Sequence, residues 1–154
     1  MIDGNLHHHN SYRCRWTPPN LPNWRTSQSM KVYLSGGIAG MTFEEANEWR
    51  QDVTDKFQEA GVKTINPLRG RLFKHADTEE FGANEIVGRD LRDIRASDLV
   101  LAYLPTMSIG TVCEVWHTYT VERKPVIVVS DNDRITGHPW IKVAATKILP
   151  DLDT

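Results

Sequence analysis

The sequence predicts a single-domain α/β fold, a parallel sheet flanked by helices, and three observations carry that expectation. Short apolar stretches alternate with helical ones from residue 30 onward. The stretches Asp98–Leu104 (DLVLAYL) and Pro125–Ser130 (PVIVVS) are almost continuously apolar, the pattern of strands buried on both faces. Segments of ten or more residues with helical spacing separate the strands, which suits crossover helices between parallel neighbours. At 154 residues the chain fits one domain with a substantial core.

Each element has its own justification. Residues 1–29 are rich in Asn, Ser, Thr, His, Arg and Pro, lack aliphatic periodicity, and read as an N-terminal extension to a domain spanning 30–154. Lys31–Ser35 (KVYLS) is the first strand, closed by Gly36 and Gly37. Thr42–Ala60 is predicted to be an amphipathic helix, because Phe43, Ala46, Trp49, Val53, Phe57 and Ala60 recur at spacings of three and four. Thr42 and Glu45 suit a capping box at its start, and Gly61 suits its stop. Val62–Ile65 is the second strand, and Pro67 ends it. Leu68–Gly82 is a long polar connection of the kind that carries function, a candidate lid. Ala83–Ala96 and Gly110–Arg123 are the next helices, on either side of strand Asp98–Leu104. Strand Pro125–Ser130, a short helix Pro139–Ala145 and strand Lys147–Leu149 complete the domain. Ligands of such sheets bind beyond the carboxyl ends of the strands. The loops after Ser35, Ile65, Leu104 and Ser130 therefore form the expected rim.

Composition narrows the function classes. Hydrophobic residues are 40% and charged residues 25%, as in soluble globular proteins. Eighteen Lys and Arg against 20 Asp and Glu leave a net charge of −2, without the basic excess that phosphate-backbone binding requires. Small molecules, not nucleic acid, are the expected partners. No run reaches the roughly 20 apolar residues of a membrane helix, and no signal-peptide core is present near the N-terminus. Cys14 and Cys113 are too few for a disulfide framework and suit a reducing, cytoplasmic setting.

Several residues depart from a purely structural pattern. Ser35-Gly36-Gly37-Ile38-Ala39-Gly40 is a glycine-rich turn at a strand end, where the backbone can approach a ligand closely; it matches neither a dinucleotide fingerprint nor a phosphate loop. Asp90 shares a helix face with Ile86 and Ile94, so a carboxylate stands in or beside an apolar stripe, either functional or paired with Arg69, Arg71 or another Arg. Asp93 is expected in solvent and Asp98 at a turn. Val112, Val115 and Tyr119 form a core face that leaves Glu114 toward the crevice, where capping electrostatics is the competing explanation. Cys113 and His117, four apart, lack further ligands for zinc, and Cys113 is expected to be packed. His75 and His138 are expected in loops near the rim, either exposed to solvent or in contact with a ligand, and His7–His9 is either a metal-binding tract or a solvated segment. No metal site and no cofactor are expected.

These residues also carry a resemblance. Lys31–Gly40 (KVYLSGGIAG), Arg89–Asp98 (RDLRDIRASD) and Ser108–Glu114 (SIGTVCE), with Lys124-Pro125 and a strand following, resemble the nucleoside 2-deoxyribosyltransferase superfamily across roughly Lys31–Ser130. The resemblance implies a flavodoxin-like, Rossmann-like fold and cleavage of the N-glycosidic bond of 2′-deoxynucleosides by a glutamate nucleophile. Glu114 matches that nucleophile and Asp90 the helix aspartate that assists the departing base. Tyr33, Ser35, Gly36, Gly37 and Ile38 match the strand end and loop that line the nucleoside pocket, with Ser108 and Gly110 opposite. The resemblance also implies small-molecule deoxynucleosides or deoxynucleotides and nucleobases as partners, and a homo-oligomer of at least two chains.

Two branches of the superfamily differ at Ser108. Transferases that move deoxyribose between bases usually carry Asp there, whereas Ser is similar to the 2′-deoxynucleoside 5′-monophosphate N-hydrolases. Those hydrolases carry Ser and Arg where this chain has Gly37 and Ala39. Arg69, Arg71 or Lys74 would then have to supply the missing charge. Outside enzymology the alternatives are a non-catalytic nucleotide-sensing module and a plain interaction domain that uses the Trp-containing extension.

Overall fold

The computed structural model describes residues 29–70 and 82–153. The extension before Ser29, with His7–His9 and Cys14, and most of the long connection, including Arg71, Lys74 and His75, lie outside the described residues. Five parallel strands form one sheet in the order β2-β1-β3-β4-β5, with β1 Lys31–Gly36, β2 Lys63–Ile65, β3 Leu99–Tyr103, β4 Val126–Val129 and β5 Lys147–Leu149. This is the flavodoxin-like order, with its switch point between β1 and β3. The expected α/β class is therefore the observed one.

Alternation along the strands divides the core into two layers. Val32, Leu34, Leu101 and Val129 pack with Val53, Trp49 and Phe57 of helix α1, Phe43–Glu59. On the opposite face Tyr33 and Val100 meet Ile94 and Leu91 of α2, Ala83–Ala96. Ala102, Val126 and Val128 of that face meet Val115 and Val112 of α3, Ile109–His117. Helix α1 starts with the expected capping box, Glu45 N donating to Thr42 Oγ1 at 3.2 Å and Thr42 N to Glu45 Oε2 at 2.8 Å. It stops at Gly61, whose φ of +74° only glycine adopts readily.

Four expectations need correction. The third helix does not run evenly from Gly110 to Arg123: α3 widens after His117 into a π-helical turn, Thr118–Glu122, ended by Arg123 at φ 54°. The widening coincides with hydroxyls bonding back four residues, Thr118 Oγ1 to Glu114 O and Thr120 Oγ1 to Trp116 O, both at 2.7 Å. Such bonds compete with the regular ladder. A one-turn helix α4, Asp133–Thr136, capped by Asn132, precedes α5, Pro139–Ala144; four residues are too few to show a period. Asp93 is buried, not solvated, and Cys113 is exposed, not packed. Asp98 stands just before β3, as expected, but its Oδ2 accepts from Lys31 N, 67 residues away, at 2.9 Å where β1 begins, instead of tying a local turn.

Candidate active site

Tyr33 and Ser35 are two apart on β1, so both side chains leave the same face of the sheet. Each is almost fully buried. Ser35 pairs in register with Ala102 of β3, whose small side chain leaves room for a residue arriving from α3. That residue is Glu114. Tyr33 Oη donates to Glu114 Oε1 at 2.9 Å, and Ser35 Oγ donates to Glu114 Oε2. The carboxylate is thus gripped at both oxygens by hydroxyls from one strand.

Helix α3 aims this side chain from a fixed start. Ser108 is its N-cap, with Oγ accepting from Thr111 N at 3.4 Å and from Thr111 Oγ1 at 3.0 Å. Thr111 and Val115 are buried and orient the helix, which turns Glu114 between them toward β1. The glycine loop closes on the same end: a Cβ on Gly37 would stand 3.9 Å from the Ser108 Cβ. Ile38 turns away, into a small cluster with Ala46, Leu68 and Met41. Gly110 is exposed on the first turn of α3.

Electrostatics mark this carboxyl as unusual. Burial pushes the Glu114 pKa from 4.5 up to about 7, the nearby Asp90 charge adds to the rise, and the Ser35 and Tyr33 hydrogen bonds and the Arg50 charge oppose it. Burial, followed by the charges of Glu114 and Asp90, holds the Tyr33 phenol well above its usual range, so it remains a donor. The Asp90 charge on α2 thus raises the pKa of both Tyr33 and Glu114.

Asp93, one turn further along α2, has a different partner. Arg69 binds it with both terminal nitrogens, at 2.7 Å each, and Arg89 Nη2 donates to the Arg69 carbonyl at 2.7 Å. The guanidinium of Arg69 is thus engaged by Asp93. His117 turns to Glu122, 3.5 Å away, while Cys113 faces solvent, so the pair does not converge on a metal.

The family comparison bears on this constellation. The model of the family described as "Nucleoside 2-deoxyribosyltransferase like" matches residues 29–132, well over half of the chain. The chain belongs to this family. Solved structures show the same fold in more distant proteins. A conserved protein from Enterococcus faecalis is similar at 20% identity and a TM-score of 0.55, over 70% of this chain and 67% of that one. A 2-deoxyribosyltransferase from Bacillus psychrosaccharolyticus is similar at 19% identity and a TM-score of 0.50, over 74% and 90%. A response regulator from Thermotoga maritima gives 12% identity and a TM-score of 0.50, over 78% and 84%. No curated protein matches the sequence.

One important residue of this nucleoside 2-deoxyribosyltransferase-like protein is absent from the sequence expectations. Arg50 of α1 is fully buried beneath the glycine loop. Its position, four after Ala46 and three before Val53, puts it on the core-facing stripe, and that spacing was the available signal. A cleft of about 430 Å³, lined by Trp49, Tyr103, Met41 and Glu48 among others, opens on the α1 side of Gly37; Glu114 does not line it.

Proposed function

We propose that this protein cleaves the N-glycosidic bond of 2′-deoxyribonucleosides, with Glu114 as a covalent nucleophile, and transfers the deoxyribosyl group to a second nucleobase. The observation that supports this most directly is the part-buried Glu114 carboxyl, held by Tyr33 and Ser35 at the carboxyl end of β1. One Glu114 oxygen forms a bond to C1′ as the C1′–N bond breaks, and the electron pair of that bond leaves with the base. Asp90 hands a proton to the departing base, whose release is easier once protonated. A nitrogen of the incoming base then attacks C1′ and gives its proton to the Asp90 carboxylate as the bond from C1′ to Glu114 breaks, so both residues are restored and the configuration at C1′ is retained after two inversions. The Ser35–Gly37 strand end, Ser108 and Gly110 line the substrate, whereas Ile38, which was expected to, packs behind the loop instead. The enzyme is expected to act in the cytoplasm as at least a homodimer.

A second reading, hydrolysis of deoxynucleoside 5′-monophosphates with water as the acceptor, is favoured by Ser108 at the start of α3. Against it, Arg69, one of the cations available to meet a phosphate, is bound to Asp93.

The test is incubation with deoxynucleosides and their 5′-monophosphates, with and without a second free base, followed by chromatography. A new nucleoside supports the transferase. Base release from monophosphates alone supports the hydrolase. Nucleoside binding without base release would leave a sensing module, and Glu114→Gln retaining turnover would remove the nucleophile.

A further inference from the structure

The most deeply buried charged side chain near the site belongs to the opposite layer. Arg50 leaves α1 and ends at the carboxyl end of β1, where Nη2 donates to Gly36 O at 2.8 Å and Nε to Leu34 O at 3.4 Å, while Nη1 donates to Ala46 O of its own helix. The topology explains why these carbonyls need it. Strand β2 is only three residues long and pairs with Lys31–Tyr33 alone, so the edge of β1 beyond Tyr33 runs past its neighbour. Leu34 and Gly36 are two apart, their carbonyls face the same side, and the guanidinium supplies the donors a longer β2 would have given. Trp49 lies over the guanidinium at 4.5 Å. The arrangement depends on Gly36, because a Cβ there would meet Trp49 Cζ2 at 2.5 Å and Arg50 Nη2 at 3.2 Å.

We infer that Arg50 is a positioning residue for Glu114, fixing from across the sheet the strand end that carries Ser35. Ser35 is the residue between the two carbonyls Arg50 holds, and its hydroxyl holds Glu114 Oε2. An apolar residue would fill the stripe between Ala46 and Val53 without the desolvation cost of a buried cation, so hydrophobic packing does not account for arginine here. The charge acts as well as the fork. Ser35 and Tyr33 bond Glu114 from β1, the Asp90 charge acts on it from α2 and the Arg50 charge from across the sheet, Arg69 bears on Tyr33 and Asp90, and on the same helix as Glu114 His117 turns to Glu122. Among the described residues that shift Glu114 most, Arg50 is the cation.

The inference rests on Glu114 being the nucleophile, and its test separates the two ideas. Carbon-13 carboxyl glutamate is titrated by NMR in the folded protein, with Glu114→Gln identifying the signal, and compared with Arg50→Gln and Arg50→Lys. Arg50→Gln removes the charge and is expected to raise the Glu114 midpoint by at least about half a pH unit. Arg50→Lys keeps the charge without the fork, and is expected to leave the midpoint near that of the unaltered protein while lowering kcat about tenfold or more with KM little changed. An unmoved midpoint in folded Arg50→Gln, or unaltered kcat in folded Arg50→Lys, overturns the inference, as does loss of thermal stability alone. An unaltered protein that releases no base overturns the enzymatic reading, and the titration still decides whether Arg50 governs Glu114.

Discussion

Ser35 and Glu114, 79 residues apart in the chain, share a hydrogen bond in which the Ser35 hydroxyl donates to Glu114 Oε2. This bond draws the carboxyl back toward ionisation against the burial that pushes its pKa up to about 7. Removing the donor in Ser35→Ala should therefore move the acid limb of kcat/KM above about pH 7. Tyr33→Phe should move it the same way by less, the Tyr33 bond having the smaller effect. Loss of an oriented donor should also lower kcat by about tenfold or more. A pH–rate profile of both variants checks direction and order, and an acid limb that moves downward in Ser35→Ala would contradict the account.

Glu114 also ties stability to pH. Its folded pKa of about 7 lies above the ordinary 4.5, so between those values the folded state holds the proton more tightly than the unfolded chain. The Glu114 contribution to stability is then full below about pH 4.5, is lost as pH rises through about 7, and levels off above it. At about 1.4 kcal/mol per pH unit the loss is on the order of 3 kcal/mol. Glu114→Gln removes the titrating group, so urea midpoints at pH 5 and pH 8 should differ less for the variant than for the unaltered protein. An equal difference in both would show that other groups set the dependence.

These features differ in how far the sequence reveals them. Local signals are readable: the Thr42–Glu45 cap, the period of two that puts Tyr33 and Ser35 on one face, and the spacing that turns Glu114 away from Val115. The role of Arg50 is not, because a long cation on a helix is ordinarily expected to extend to water. Its partners need it only because β2 ends at Ile65, a fact of strand pairing. The burial of Asp93 is hidden for the same kind of reason: its partner Arg69 lies 24 residues earlier, in a loop with no periodic pattern.

Gly36 offers a test of packing behind the site. A methyl group there would stand 2.5 Å from Trp49 Cζ2, and the ring also packs against Tyr103, with centroids 5.0 Å apart. Gly36→Ala should cost about 1–3 kcal/mol through overpacking. Combining it with Trp49→Leu should recover part of that loss, because the clash belongs to the pair. Chemical denaturation of the two single variants and the double variant measures the coupling, and strict additivity would locate the strain elsewhere.

The two carboxylates three apart on α2 should separate cleanly under conservative replacement. Asp93→Asn breaks the paired bonds to Arg69. The Arg69 side chain is 47% exposed, so solvent screens its charge and the stability cost should be about 1–2 kcal/mol, with kcat nearly kept. Asp90→Asn should do the reverse. It removes a carboxyl whose ionised form raises the Glu114 pKa, so the acid limb should move below about pH 7, and whose protonated form is the donor to the leaving base, so kcat should fall by about 10². Substrates whose bases leave readily without protonation should be affected least, since they need the acid least. Comparing kcat across bases of graded leaving ability in Asp90→Asn isolates that role, and a uniform loss across the series would instead make Asp90 a purely electrostatic neighbour of Glu114.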